Sequence, residues 1–409
     1  MNLQIINAVW GKKYIDTFLQ LSLPTQFSTG NLKTLKSKPN YILYTDQSGK
    51  EQILQAPIYK KLQEHTHVIF RLIDVDKERC HFDILLQCHS DAIKEANKLN
   101  APIVFLAPDC ILSMNVFSYL EKAVDRKKRL IMICSARMSL EKYKEIIQEK
   151  EGSLLNEEVQ WTSQDLAKTT INNLHHRGKC LLMTDDKISS HPSQMYWRLD
   201  EHNLLAKSFH LHPLLIWPEV HNVYPLLSAD GKDFLERICP NSSKWETIKD
   251  CSEVSLFEIS SDEQFTSDSR IPINSFWLRK WVNENTSEAH FHFIKHNIIL
   301  GDSIPKPHWN EKISEANKFL TGLLKVKYKE RIYKSQFANK LSRYYHSSLL
   351  SRVDKDFFKW HLLLFYYVIT GKKKLTWKKF KDHFFYLFKY KNFPVHTLKL
   401  NRKKEKKKV

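Results

Sequence analysis

The chain has 409 residues, long enough for two domains or for one large domain with an appendage. Its 42% apolar and 12% aromatic content supplies a core, and 9 glycines with 14 prolines exclude a fibrous or low-complexity protein. A formal net charge of +19, much of it late in the chain, favours anionic partners such as nucleotides, nucleic acid or an acidic membrane face.

In chain order, residues 3–9 read as a strand, 13–21 as a helix, 41–45 as a strand and 51–63 as a helix. A third strand over 68–72 ends in Ile73-Asp74-Val75-Asp76. Residues 81–97 carry Ile84, Leu85, Cys88, Ala92, Ile93 and Ala96 at helical spacing and lead into a short apolar run, Ile103 to Leu106. That run stops at Ala107-Pro108, because proline cannot donate to a sheet ladder. A helix around 115–125 and a strand over 130–134 follow. This β-α-β-α alternation predicts an α/β fold with a mostly parallel sheet and helices on both faces. Neither a G-x-G-x-x-G fingerprint nor a P-loop interrupts it.

Residues 163–176 are expected to be helical, 208–217 to form one strand and 253–259 another. The acidic, serine-rich run 260–269 reads as a linker. From about 271 aromatic and basic residues interleave on helical patterns at 276–283, 311–333, 336–350, 355–369 and 377–391. The expected organisation is a domain over 1–260, a linker over 261–270, a basic helical domain over 271–400 and a disordered lysine-rich tail over 401–409. Seven cysteines show no C-x-x-C and no zinc-type pairing with histidine, which suits reduced thiols in a cytosol-like compartment. The N-terminus lacks a secretory signal pattern, and residues 361–370 are too short an apolar stretch to span a bilayer. The expected location is cytoplasmic, or peripheral on the inner membrane face.

Asp109 follows the central apolar run directly. A carboxylate there either begins a turn or caps the helix at 115–125, or it sits where open α/β sheets bind ligands. His210 and His212, two apart in the expected strand, would face one side, with Pro213 breaking the strand beside them. With Asp109 they could hold a divalent ion; otherwise one imidazole is satisfied by a backbone carbonyl. His89 is either a core or surface histidine of its helix or a residue aimed at a phosphate. Trp10-Gly11 could hold a base or let a ligand approach the backbone, or could cover the sheet edge. The His290, His292, His296 cluster lacks the His-Glu-x-x-His spacing and reads as structural. A G-x-S-x-G elbow is also missing.

Val9-Trp10-Gly11 with Tyr14, Phe18, Leu23-Pro24 and Gly30-Asn31-Leu32 resembles the start of a family of bacterial glycosyltransferase-like proteins. So do Tyr41-x-Leu-Tyr44-Thr45, Phe105 to Ser113, Tyr196-Trp197 and Phe209-His-Leu-His-Pro-Leu, within residues 1–260. The resemblance implies a GT-A/Rossmann-like domain that takes a nucleotide-sugar donor and passes a hexosyl group to a glycan, lipid or protein acceptor. It maps the family's Asp-x-Asp metal motif onto Pro108-Asp109-Cys110-Ile111, where only one acid remains. Implied donor contacts are Trp10, Gly11, Asp74, His89 and Asp109. Implied ligands of a divalent metal, Mn²⁺ or Mg²⁺, are Asp109, His210 and His212. Asp109 would join His191 and Asp200 as catalytic groups, with Glu201 another candidate base. The basic C-terminal helices would either rest on an anionic membrane or pack on the catalytic domain. A non-catalytic nucleotide-sugar-binding relative and a basic nucleic-acid-binding protein are the alternatives, the latter disfavoured because the basic residues lie outside the α/β region.

Overall fold

Strands that are apolar on both sides must be covered on both sides, and that requirement organises the first half of the chain. A computed structural model describes residues 3–75, 80–153, 157–302 and 304–324. The chain runs β1 (Gln4–Ala8), α1 (Lys12–Thr17), β2 (Asn40–Thr45), α2 (Gln47–Gln55), α3 (Pro57–His65), β3 (His67–Leu72), α4 (His81–Leu99) and β4 (Ile103–Leu106). It continues through β5 (Cys110–Leu112), α5 (Val116–Asp125), β6 (Leu130–Ile133), β7 (Arg137–Ser139), α6 (Leu140–Glu151), α7 (Ser163–Asn172) and α8 (His176–Cys180). Then come β8 (Lys187–Ser189), β9 (Gln194–Asp200), β10 (Asn203–Ser208), β11 (His212–Ile216), α9 (Phe234–Ile238), β12 (Trp245–Thr247) and β13 (Leu256–Ser260). The described part closes with β14 (Arg270–Pro272), α10 (Ser275–Asn285), α11 (Glu288–Phe293), β15 (Ile298–Leu300) and α12 (Trp309–Leu324).

The central sheet has seven strands in the order β12-β6-β11-β4-β1-β2-β3. Its neighbours are parallel except at β11, which runs against both β4 and β6. Alternate side chains divide the core between the two faces. Ile6, Ile42, Phe105 and Met132 pack with Ile84, Cys88 and Ala92 of α4. Ile5, Leu43, Val104 and Ile131 pack on the other face with Phe18, Phe117 and Leu120. Burying any one of these large apolar side chains stabilises the fold by roughly 1.5–3 kcal/mol. Two three-stranded sheets, β15-β10-β9 and β5-β13-β7, and the pair β14-β8 complete the architecture. This is the expected α/β class, with a mostly parallel sheet between helices.

Several elements differ from the sequence reading. The helix expected over 51–63 is two helices, because Pro57 holds Ala56 extended at φ −74°, ψ 132°. The helix expected over 163–176 ends at Asn172 and restarts at His176. The strand expected over 208–217 is two strands in different sheets, β10 and β11, joined by a bend at 209–211. The described residues on both sides of residue 260 belong to one compact unit. The reason is pairing: β14 joins β8, and β15 covers the open edge of β10. The 261–270 stretch is a largely exposed loop that leads into β14. The helices expected beyond residue 324 and the 401–409 tail lie outside the described residues. Among the described residues no helix is long and apolar enough to cross a membrane.

Candidate active site

From β1 the sheet grows outward to β2 and β3 on one side and to β4 on the other, so strand order reverses between β1 and β4. In open α/β sheets the crevice at the carboxyl ends of the strands flanking such a reversal is where ligands bind. Gly11 lies past the end of β1 and Asp109 past the end of β4. Gly11 has φ 74° and ψ 136°, and nothing lies within 4 Å of where a Cβ would stand. A side chain there would be strained and would fill open space, so glycine leaves the backbone approachable. Asp109 lies in a tight turn closed by the Cys110 N–H donating to the Ala107 carbonyl at 3.1 Å. It does not cap α5, whose N-cap is Asn115.

The Asp109 carboxylate points at the Arg137 guanidinium, Nη1 to Oδ2 3.0 Å, with both side chains four-fifths buried. Arg137 starts β7, and β13 lies between β7 and β5, so Glu258 and Ser260 of β13 reach the same guanidinium. Arg177 from α8 pairs with Asp268 at 3.1 Å. Phe265 then lies under both arginines, its ring centre 5.2 Å from the Arg137 guanidinium and 4.6 Å from that of Arg177. Phe265 adopts φ 57°, an uncommon backbone for a bulky residue that costs on the order of 1–2 kcal/mol. The loop holding it is tied at one end by Gln264 donating to the Tyr14 hydroxyl at 2.8 Å.

Beside this cluster stands a group of histidines. His212 opens β11; since β11 is antiparallel, its first residue lies at the same edge as the ends of β4 and β1. Its Nε2 bonds the Phe105 carbonyl at 2.8 Å, and burial pushes its pKa down, so the ring is neutral and Nε2–H is the donor. His89 of α4 packs edge-on against Phe105, ring centres 5.2 Å apart. Burial and the neighbouring His212 push the His89 pKa down to about 4. His210, in the bend, faces Asp230, Nδ1 to Oδ2 3.6 Å, an ion-pair rather than a hydrogen-bond distance. Burial acts to raise the Asp230 carboxyl, but His210, the Ser228 hydroxyl and His290 outweigh it and hold the group well below the usual carboxylate range.

The structure therefore brings Asp109, His89, His210 and His212 into one neighbourhood and leaves other candidates outside it. His210 and His212 do not project together from one strand. The Phe209 and His210 N–H groups both donate to the Ser193 carbonyl, which turns the chain between sheets. Trp10 is half-buried with its ring edge-on to His81 at 6.2 Å, and Asp74 is exposed just past β3, at the same edge as Gly11. His191 is exposed in the loop before β9, near the Ser190 hydroxyl at 3.4 Å. Asp200 turns from β9 into β10 and is filled by Asn203, the His202 N–H, Lys306 and Trp309, at 2.7–3.1 Å. Glu201 is exposed beside it.

The three expected metal ligands thus engage three different partners: Asp109 an arginine, His212 a carbonyl, His210 a second carboxylate. Among the described residues no three His, Cys, Asp or Glu side chains converge as a metal-binding group. These residues do not fit a divalent metal centre. Sequence reading missed Arg137, Arg177, Phe265 and Asp230. Asp230 lies in Ser-Ala-Asp-Gly-Lys, which reads as a turn, and the arginines carry no motif.

The sheet and its crevice define an α/β fold with a mostly parallel sheet between helices. No protein-family model and no curated protein matches the chain. Among solved structures it is similar to TarS of S. aureus, at 12% identity over 80% of this chain and 46% of that one, TM-score 0.32. The 1–349 form of TarS aligns at 10% identity over 80% of this chain and 74% of that one, TM-score 0.29. Mouse xyloside xylosyltransferase 1 aligns at 8% identity over 37% of this chain, TM-score 0.25, and the chain spans 60% of its length. At such identities and scores these likenesses carry no argument, and the functional reading rests on the chain's own residues.

Proposed function

We propose that the protein is a glycosyltransferase that binds a nucleotide-sugar donor in the crevice between β1 and β4 and transfers its sugar to an acceptor hydroxyl. The observation that carries this reading is the Asp109–Arg137 pair at the strand-order reversal, past the end of β4 as the open backbone of Gly11 is past the end of neighbouring β1. Trp10, Gly11 and Asp74 border the side of the crevice suited to the nucleoside. Asp109 can accept hydrogen bonds from donor hydroxyls. Arg137, which Asp109 and Glu258 hold in place, offers its guanidinium to the departing diphosphate, the kind of preorganised electrostatics such a reaction needs. The acceptor oxygen forms a bond to the anomeric carbon as the bond from that carbon to the diphosphate oxygen breaks. The nucleoside diphosphate leaves with the electron pair, and the acceptor proton passes to a base. Acceptor class, membrane association of the basic C-terminal region and a cytoplasmic location belong to the same proposal.

Thermal unfolding in the presence of UDP-, GDP- and CMP-sugars tests the reading. A donor at 100 times its Kd should add about 2.7 kcal/mol of stability. We expect one nucleotide class to raise the Tm and Asp109→Ala to remove the shift. Absence of a shift with every nucleotide sugar would refute the proposal.

A further inference from the structure

The proposed reaction needs a group to take the acceptor proton: among the expected candidates Asp200 is filled by its own donors, Glu201 is exposed beside it, and His191 is exposed on the loop that Ser190 ties to Ser269. The bend at 209–211 carries a better-placed one. His210 is fixed through its backbone on both sides: its N–H donates to the Ser193 carbonyl at 3.1 Å, and its own carbonyl accepts from Gln194 at 2.9 Å and Ser208 at 2.7 Å. Its ring packs against that of His290, centres 4.3 Å apart and planes tilted by 47°. His290 is itself held, with Nδ1 accepting from the Ser287 N–H at 3.1 Å and Nε2–H donating to the Asp230 carbonyl at 2.9 Å. His290 therefore clamps the backbone of Asp230, while the Asp230 carboxylate faces His210 Nδ1. Among the described residues His210 Nε2 makes no hydrogen bond, and 19% of the side chain remains exposed. An imidazole whose one nitrogen faces a fixed carboxylate while the other is open is the arrangement of a general base with its orienting acid. His212, two residues further on, bonds the Phe105 carbonyl at 2.8 Å, which ties the bend to the end of β4 where Asp109 follows.

We propose that His210 is the general base of the transfer reaction, with Asp230 as its positioning residue. This assignment rests on the glycosyltransferase reading. The acceptor hydroxyl, or water in donor hydrolysis, gives its proton to His210 Nε2 as its oxygen bonds to the anomeric carbon. The carbon–diphosphate bond breaks in the same step, and Asp230 balances the charge on the resulting imidazolium.

The test uses the full chain and a panel of UDP-, GDP- and CMP-sugars, following nucleotide release by hydrolysis and donor affinity by thermal shift. We expect His210→Ala to slow hydrolysis at least about 100-fold, the scale of general-base catalysis, with donor Kd unchanged within about threefold. Added imidazole should restore at least about tenfold of the loss, which a merely structural histidine would not allow. Asp230→Asn should cost about tenfold by mispositioning the ring. His210→Gln serves as the second variant, preserving size and hydrogen bonding should the alanine variant misfold. Hydrolysis within threefold of wild type in both His210 variants would overturn the dyad alone. So would a parallel fall in donor affinity without imidazole rescue. A wild type that neither binds nor turns over any donor would overturn the glycosyltransferase reading beneath it.

Discussion

Two aspartates, Asp109 and Asp200, look equally suited to chemistry in the sequence, and their surroundings differ in kind. Asp200 sits at the corner of β9 and β10 and receives four donors, including Lys306 at 3.1 Å and the Trp309 indole at 3.0 Å. Burial acts to raise its carboxyl, but these donors hold it well below the usual range. The carboxylate is spent on pinning the segment before α12 to the small sheet. Asp109 faces a single arginine at the reversal of strand order and keeps acceptor capacity toward the crevice. A carboxylate saturated by its own chain is architecture; one left with lone pairs at the carboxyl edge is available to a ligand.

Breaking each side of that contrast should give different signatures. The largest expected effect is on Arg137→Ala, which removes the cation beside Asp109. Donor turnover should fall about 10²–10³-fold, the usual loss on deleting one preorganised electrostatic donor. Steady-state nucleotide release measures it. Next, Asp200→Ala should lower stability by about 2 kcal/mol, since it deletes hydrogen bonds to a charged group. Chemical denaturation should show that loss, while the donor-induced Tm shift stays intact. A third test uses acid. The folded Asp200 carboxyl lies below its ordinary value of 3.8, so its contribution is complete above that value and is lost as the pH falls through the folded pKa. Wild type should therefore lose stability faster than Asp200→Asn between about pH 4 and 2. The smallest expected effect is that of metal. Because Asp109, His210 and His212 engage separate partners, the donor-induced Tm shift should be the same within about 1 °C in Mn²⁺ and in EDTA. A shift that required Mn²⁺ would mean these side chains regroup on binding.

Legibility in the sequence followed burial. The runs around Ile42, Val104 and Ile131 could be read because strands covered on both faces are continuously apolar, and α4 because Ile84, Cys88, Ala92 and Ala96 mark one buried stripe. Asp109 could be placed because Pro108 ends its strand. The 208–217 stretch misled for a physical reason. Phe209 and Leu211 are fully buried on a bend, so the apolar pattern runs on while the chain changes sheet. β14 and β15 could not be read because three-residue strands have no period to detect. Arg137 and Asp230 were illegible because their partners lie far along the chain, and only the folded sheet brings them together.

The reversed strand β11 has a consequence for how the protein is made. It inserts between β4 and β6, strands that precede it by some hundred residues, and pairs with both. Those two edges therefore wait, hydrogen-bonding groups unmet, until the ribosome has released the segment through Ile216. Contacts of such long sequence separation slow folding and prolong exposure of apolar strand edges. The arriving strand carries the His210 bend and His212 to the edge where Asp109 already stands, and β13, with Glu258 and Ser260 for Arg137, follows still later. Nascent chains halted before residue 212 would display two unpaired apolar edges and no finished site, a window in which a chaperone has something to hold.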